Sequence, residues 1–125
     1  MSGMGARYAL IVDDDAAVRE ALYDLMTSLG WSADLAATGE QGLERLGQER
    51  YDVVLTDLKM PGMSGWDVLE EVRRRHPRMP VLMVTGSIID SSDPRLAAPG
   101  VALVRKPVEA RALEETLARV LDEVA

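Results

Sequence analysis

Short apolar runs alternate with longer stretches of helical period along this chain, and this alternation constrains the fold more than any other feature. The candidate strands are residues 8–12, 31–36, 53–56, 81–85 and 102–105. These runs are rich in β-branched residues and have turn-forming residues at their flanks, which favours strands over buried helices. Strands that alternate with helices predict an α/β fold, in which helices cover both faces of a parallel sheet.

The stretches between the strands carry start and stop signals for helices. Gly30 is predicted to be the C′ residue that closes the first helix. Thr38, followed three residues later by Gln41, resembles a capping box and opens a second helix, which Gly47 is predicted to end. Ser64 is the predicted N-cap of the third helix.

The segment 86–100 interrupts the pattern where a fourth full helix is expected. Asp93 is the predicted N-cap there and Pro94 the first helical residue, because proline is tolerated in the first turn of a helix. Pro99 is predicted to stop the helix after about one turn. The fourth helix is therefore expected to be shortened or irregular.

Composition limits the kinds of protein this chain can be. The chain has 125 residues, of which 47% are hydrophobic and 28% charged, so we expect one domain over 1–125 with a folded core of about 7–124. A net charge of −7 is the wrong sign for direct nucleic-acid binding. The chain has no cysteine and no apolar run of the roughly 20 residues that cross a bilayer. We expect a cytoplasmic protein without membrane insertion.

Charged and hydroxyl side chains stand at the ends of the predicted strands. Asp13 and Asp14 end the first strand, Asp57 follows the third, Thr85 ends the fourth and Lys106 follows the fifth. In an open α/β sheet the ligand crevice lies outside the carboxyl ends of the strands, so these residues are expected to meet. The sequence therefore predicts a cation-dependent anion site.

The residue types in this crevice favour a particular chemistry. Carboxylates without histidine or cysteine select a hard cation, Mg²⁺ first and Mn²⁺ as the alternative. Magnesium takes only one or two carboxylates, which leaves one acid free to attack a phosphoryl group and form an aspartyl phosphate. Lys106 and Thr85 supply the ammonium and the hydroxyl that such a transfer needs. Asp15 is better explained as the N-cap of the first helix.

Taken together, these residues resemble the receiver domain of two-component response regulators over nearly the whole chain. The matching positions, in order, are Asp13 and Asp14, Asp57 before Met60-Pro61-Gly62, Thr85, and Lys106-Pro107. The resemblance implies a flavodoxin-like, doubly wound fold with five parallel strands in the order 2-1-3-4-5. It also implies that Asp57 accepts a phosphoryl group from a histidine kinase, a histidine phosphotransfer protein or a small phosphodonor.

The resemblance assigns a role to each site residue. Asp14 is similar to the direct metal ligand and Asp13 to a ligand that acts largely through water, while Asp57 and the backbone carbonyl of Lys59 complete the set. Thr85 resembles the hydroxyl that reorients towards the phosphoryl group. Lys106 resembles the lysine that pairs with this group, and the Lys106-Pro107 peptide is expected to be cis.

One residue departs from the family pattern. Three residues before Lys106, receivers commonly carry a tyrosine or phenylalanine that reports phosphorylation on the outer face, and this chain has Leu103. The shortened fourth helix falls on the same face. The sequence therefore predicts intact phosphorylation chemistry with an unusual route of communication.

Several readings of the output stay open. The chain is expected to be a receiver that signals through a downstream protein partner, and to catalyse only the gain and loss of its own phosphoryl group. Alternatives within this class are a phosphate sink and the receiver portion of a hybrid histidine kinase. A phosphate-independent binding module is a further alternative. A haloacid-type phosphatase is disfavoured because it needs a second aspartate where this chain has Lys59.

Overall fold

The computed structural model describes residues 7–90 and 92–125, so the predicted domain start at residue 1 lies outside the described residues. The described residues form a five-stranded sheet in the order β2-β1-β3-β4-β5, and all its neighbouring strands are parallel. The strands are β1 (Tyr8–Val12), β2 (Ser32–Ala36), β3 (Val53–Thr56), β4 (Val81–Thr85) and β5 (Val101–Arg105). The helices are α1 (Ala16–Ser28), α2 (Gly39–Gln48), α3 (Gly65–Arg75) and α4 (Ala110–Val124), and the short 3₁₀ helix Pro94–Ala97 precedes β5. The predicted α/β class and strand order are confirmed.

Alternate residues of the sheet enter two separate apolar cores, one on each face. Along β1, Leu10 and Val12 pack with α2 and α3, while Ala9 and Ile11 pack with α1 and α4. Every residue of β3 and β4 is buried, as expected for central strands covered on both faces. The described residues contain no helix that is long and apolar enough to cross a membrane.

The end of α1 moves the start of β2 by one residue from its predicted position. Gly30 has φ 92° and is the predicted C′ residue. Its N–H donates to the Thr27 carbonyl at 3.0 Å, and the Trp31 N–H donates to the Met26 carbonyl at 2.9 Å. This pair of bonds is the Schellman closure, so Trp31 completes the helix and the strand begins at Ser32. The strand β5 likewise begins at 101 rather than 102.

The second helix departs from its predicted caps at both ends. The Thr38 hydroxyl accepts a hydrogen bond from the Gln41 N–H at 3.0 Å, as predicted, but the Gln41 side chain accepts from Ala37 N–H rather than from Thr38. The prediction that Gly47 ends α2 is wrong, because the helix continues one residue further. Gly47 keeps a helical backbone, and glycine inside a helix costs only about 1 kcal/mol relative to alanine.

The connection between β4 and β5 contains the predicted stub in place of a full helix. Asp93 caps the 3₁₀ helix Pro94–Ala97 by accepting from the Arg95 N–H at 2.9 Å, and none of the four helical residues is buried. The Arg95 guanidinium lies over the Trp66 ring of α3, 3.7 Å from its centroid. Its Nη2 also lies 2.7 Å from Asp93 Oδ2. The stub is therefore held against the domain by the contact of Arg95 with Trp66 and by Leu96, which packs partly buried against the apolar core.

Candidate functional site

Backbone hydrogen bonds extend the sheet beyond its strands and orient the site residues. Asp13 N–H donates to the Ala36 carbonyl at 3.1 Å, and Asp57 N–H donates to the Val12 carbonyl at 2.9 Å. Lys106 N–H donates to the Thr85 carbonyl at 3.0 Å. Each of these residues is thus fixed to a neighbouring strand at the carboxyl edge of the sheet, as the strand-end rule predicts.

Three carboxylates converge at this edge. Asp13, Asp14 and Asp57 each offer an oxygen, and these atoms lie within 4.8 Å of one another. Asp13 is fully buried and Asp57 is 8% exposed, whereas Asp14 is exposed. The cluster is therefore open to solvent on the side of Asp14.

Lys106 supplies a positive charge to two of these acids. Its Nζ donates to Asp13 Oδ2 at 3.1 Å and lies 3.6 Å from Asp57 Oδ2. The Lys106 side chain is 23% exposed, so its ammonium is partly screened by water. The peptide between Lys106 and Pro107 is cis, as predicted.

The charges of the cluster are only partly balanced. Burial raises the pKa of Asp57, and the neighbouring Asp13 and Asp14 carboxylates raise it further, while Lys106 and the Leu58 N–H act in the opposite direction. Because the sum of these effects is an upward shift, a further cation would stabilise the ionised cluster. The donor set consists of carboxylate oxygens, which suits Mg²⁺. The residues present therefore fit a hard divalent cation.

Two buried hydroxyl-bearing residues end the neighbouring strands β3 and β4. Thr85 is 1% exposed, and its Oγ1 accepts a hydrogen bond from the Ser87 N–H at 3.0 Å. Thr56, directly before Asp57, is fully buried and donates to the Asp57 carbonyl at 2.9 Å. The sequence pattern does not single out Thr56, because a threonine inside an apolar run is typical of an ordinary strand residue.

Lys59 and Asp15 differ in how closely they are tied to the cluster. Lys59 lies exposed in the loop two residues after Asp57, and the ligand role of its carbonyl stays a prediction. Asp15 accepts from the Ala17 and Val18 N–H groups and caps α1. The N-cap prediction for Asp15 is confirmed.

The doubly wound sheet, with three carboxylates and a lysine at its carboxyl edge, defines a class of α/β proteins that have an acid cluster at the strand ends. Within that class, the chain belongs to the response regulator receiver domain family, whose model matches residues 9–118. This match confirms the resemblance noted from the acids and the Lys106-Pro107 pair.

Known proteins support the same assignment. The chain is 36% identical over 115 residues to the response regulator protein FleR of Pseudomonas aeruginosa, an alignment that covers 91% of this chain and 24% of FleR. It therefore spans about a quarter of that relative. A CheY-like receiver domain protein of Methanospirillum hungatei superposes with a TM-score of 0.86 at 32% identity, covering 96% of this chain and 97% of the other.

Another solved structure that is similar to this chain contains bound ligands. The response regulator protein TrrA of Thermotoga maritima, solved in complex with Mg²⁺-BeF, superposes with a TM-score of 0.83 at 29% identity. The superposition covers 91% of this chain and 98% of TrrA.

The outer face of the sheet departs from the pattern that the resemblance leads us to expect. Leu103 is half-buried in β5 and packs against the apolar core on the α2 and α3 side. It offers no aromatic ring that could follow the Thr85 hydroxyl. Two residues later, the Arg105 guanidinium donates to the Ile89 carbonyl at 3.3 Å, which links β5 to the first part of the connection between β4 and β5.

Proposed function

We propose that this receiver domain is a phosphorylation-controlled switch in which Asp57 is the phosphoacceptor. The observation that carries the proposal is the convergence of Asp13, Asp14 and Asp57 within 4.8 Å, with the Lys106 ammonium 3.6 Å from Asp57. One carboxylate of such a cluster can react while its neighbours hold a cation.

The chemistry follows from the positions of the side chains. An ionised Asp57 oxygen attacks the phosphorus atom of the donor, and the bond from phosphorus to the donor's imidazole nitrogen or carboxylate oxygen breaks, leaving the electron pair on the donor. Lys106 balances the charge of the new phosphoryl oxygens, and Thr85 donates its hydroxyl to one of them. Mg²⁺ held at the acid cluster would supply positive charge beside the phosphoryl oxygens.

The buried surroundings of Asp57 match this role. Leu58 N–H donates to Asp57 Oδ1 at 2.8 Å, which leaves Oδ2 as the oxygen nearest Lys106. We assign the attack to Oδ2 because it is the oxygen without a backbone donor. Asp13, Asp14 and Asp57 would hold Mg²⁺, with the Lys59 carbonyl as a further ligand.

The partners in this proposal are proteins. The phosphodonor is a histidine kinase or a histidine phosphotransfer protein, and the output is contact with a downstream protein. We propose no direct contact with nucleic acid, since the net charge is −7. The domain turns over no substrate besides its own phosphoaspartate, and a chain without cysteine suits the reducing cytoplasm.

Acetyl phosphate tests the proposal without a cognate kinase. With Mg²⁺ present, we expect the intact mass of the protein to increase by one phosphoryl group, and Asp57→Asn to abolish the increase. Asp15→Asn is the matched control, because asparagine also caps a helix and the charge removed is outside the cluster. An unmodified wild-type mass, or a modification that survives Asp57→Asn, contradicts the proposal.

A further inference from the structure

Gly65 begins α3 at a point where the backbone leaves no room for a side chain. A Cβ atom there would lie 2.3 Å from the Asp57 carbonyl oxygen, 2.8 Å from Leu58 Cα and 3.0 Å from the Asp57 carbonyl carbon. All three are backbone atoms, so no side-chain rotation relieves the contact. Gly65 is not among the glycines with positive φ. Space, rather than backbone conformation, therefore excludes other residues.

The close approach holds the backbone that carries the Asp57 carboxylate. Gly65 N–H donates to the Leu58 carbonyl at 2.8 Å. The Thr56 hydroxyl holds the Asp57 carbonyl at 2.9 Å, and the Leu58 N–H holds Asp57 Oδ1 at 2.8 Å. A shift of the 57–58 backbone would therefore move the carboxylate together with its hydrogen-bond partners.

We propose that Gly65 is a positioning residue for the phosphorylation site. Because Gly65 has no side chain, the start of α3 can lie directly against the backbone of residues 57–58. This contact sets the distance of the Asp57 carboxylate from Asp13 and Asp14, and it fixes the path of the chain towards Lys59. The inference rests on the proposed function for what the site does. The structural feature that the role of Gly65 explains is the spacing of the three carboxylates.

The effect of a methyl group follows from the distances. Ordinary contact of a Cβ atom begins at 3.4 Å and the Asp57 carbonyl oxygen would lie at 2.3 Å, so Gly65→Ala must open the backbone by about 1 Å. Metal ligands tolerate displacements of only about 0.2 Å. Loss of an outer-shell support typically costs about tenfold to a hundredfold in metal affinity. We therefore expect Gly65→Ala to weaken Mg²⁺ binding by at least about tenfold.

Two other glycines provide matched controls. Gly100 has φ 80° and a Cβ atom there would lie 2.5 Å from Val124 Cγ1, so Gly100→Ala strains the fold at the opposite end of the sheet from Asp57. Gly47 lies inside α2 with no atom within 4 Å of its Cβ position, so Gly47→Ala adds a methyl group without a contact. Gly100→Ala therefore controls for lost stability, and Gly47→Ala controls for the substitution itself.

The experiment measures the Mg²⁺ dissociation constant by titration calorimetry and the rate of acetyl phosphate labelling at saturating Mg²⁺. We expect weaker Mg²⁺ binding in Gly65→Ala, and values within about twofold of wild type in both controls. An affinity of Gly65→Ala within twofold of wild type overturns the inference. An equal loss in Gly65→Ala and Gly100→Ala also overturns it, because lost stability would then explain both.

Thr56→Val keeps the inference testable if Gly65→Ala does not fold. This variant removes the hydroxyl that holds the Asp57 carbonyl and adds no bulk, so we expect weaker Mg²⁺ binding from it as well, and unchanged binding would contradict the positioning role. A wild-type protein that binds Mg²⁺ but takes no phosphoryl group contradicts the proposed function, while the comparison of Mg²⁺ affinities still decides the role of Gly65. A wild type that binds no Mg²⁺ overturns both.

Discussion

Replacing Asp57 with asparagine isolates the electrostatic cost of the acid cluster. The substitution keeps the shape of the side chain and an oxygen for the Leu58 N–H, but removes one negative charge. The variant therefore loses two charge repulsions, with Asp13 and Asp14, and one charge attraction, with Lys106. We expect the variant to be more stable than wild type in the absence of divalent cations.

The size of this gain can be worked from the distances. At 4.8 Å, the upper limit of the distances within the cluster, two carboxylate oxygens repel by about 1 kcal/mol in water and by about 3 kcal/mol at an effective dielectric constant of 20. Lys106, 3.6 Å from Asp57 Oδ2, attracts Asp57 by about 1 kcal/mol in water and by about 4.6 kcal/mol at the same effective dielectric constant of 20, which offsets somewhat more than one of the two repulsions. Asp57→Asn should therefore raise the free energy of unfolding by about 0.5–2 kcal/mol. With a urea slope of about 2 kcal/mol per molar, the midpoint rises by roughly 0.3–1 M.

Magnesium should reverse the stability advantage of Asp57→Asn over the wild type. At a hundred times its dissociation constant, a ligand stabilises the folded state by about 2.7 kcal/mol. Asp57→Asn lacks one of the proposed metal ligands, so it gains less from Mg²⁺ than the wild type does. The assay is urea unfolding at pH 7, once with EDTA and once with saturating Mg²⁺, and Asp15→Asn should behave as wild type in both.

The pH dependence gives an independent check in EDTA. The pKa of Asp57 is raised in the folded state, so its charge costs stability above that pKa, and the cost is relieved as the pH falls through it towards the unfolded value. The stability advantage of Asp57→Asn should therefore shrink on acidification. The reasoning fails if the variant is no more stable than wild type in EDTA, or if Mg²⁺ stabilises both proteins equally.

Three further substitutions test other contacts. Lys106→Met removes the cation beside the fully buried Asp13 and should cost about 2 kcal/mol in EDTA but less with Mg²⁺; equal unfolding curves for variant and wild type would contradict the charge-balancing role. The Tyr8 hydroxyl donates to Asp34 at 2.6 Å, and this bond is the largest cause that raises the pKa of Tyr8 to about 12. Asp34→Ala should therefore lower the pH of tyrosine ionisation in an ultraviolet titration. An unchanged titration would exclude the bond as the cause. Arg95→Ala uncovers the Trp66 ring and should shift its emission to the red in a Trp31→Phe background, whereas an unshifted spectrum would mean that the guanidinium does not shield the ring.

The strand-end rule explains why the acid cluster was predictable and its support was not. Asp13, Asp57 and Lys106 directly follow buried strands, and the topology alone brings such positions to one edge. Their burial and the 3.1 Å pair between Lys106 and Asp13 depend on side-chain packing, which periodicity does not encode.

The glycines show where sequence patterns lose information. Gly47 follows a helical stretch and was predicted to end it, yet it lies inside α2. Gly65 carries no comparable signal in the sequence, yet its Cβ position lies against backbone atoms. A glycine that predicts the end of a helix expresses only a local preference, and the helix can continue through it at a cost of about 1 kcal/mol. A close approach between a helix and a loop is tertiary, and only coordinates reveal it.

The stub between β4 and β5 and the central strands of the sheet differ in local stability. None of the stub's helical residues Pro94–Ala97 is fully buried, although Leu96 packs partly buried against the apolar core, whereas β3 and β4 are buried throughout. Segments with few buried contacts open at a small fraction of the global unfolding free energy. Amide hydrogens of the stub should thus exchange through a subglobal fluctuation that leaves the sheet intact. A partner that rearranges the connection next to Trp66 would therefore disturb the stability of the acid cluster little.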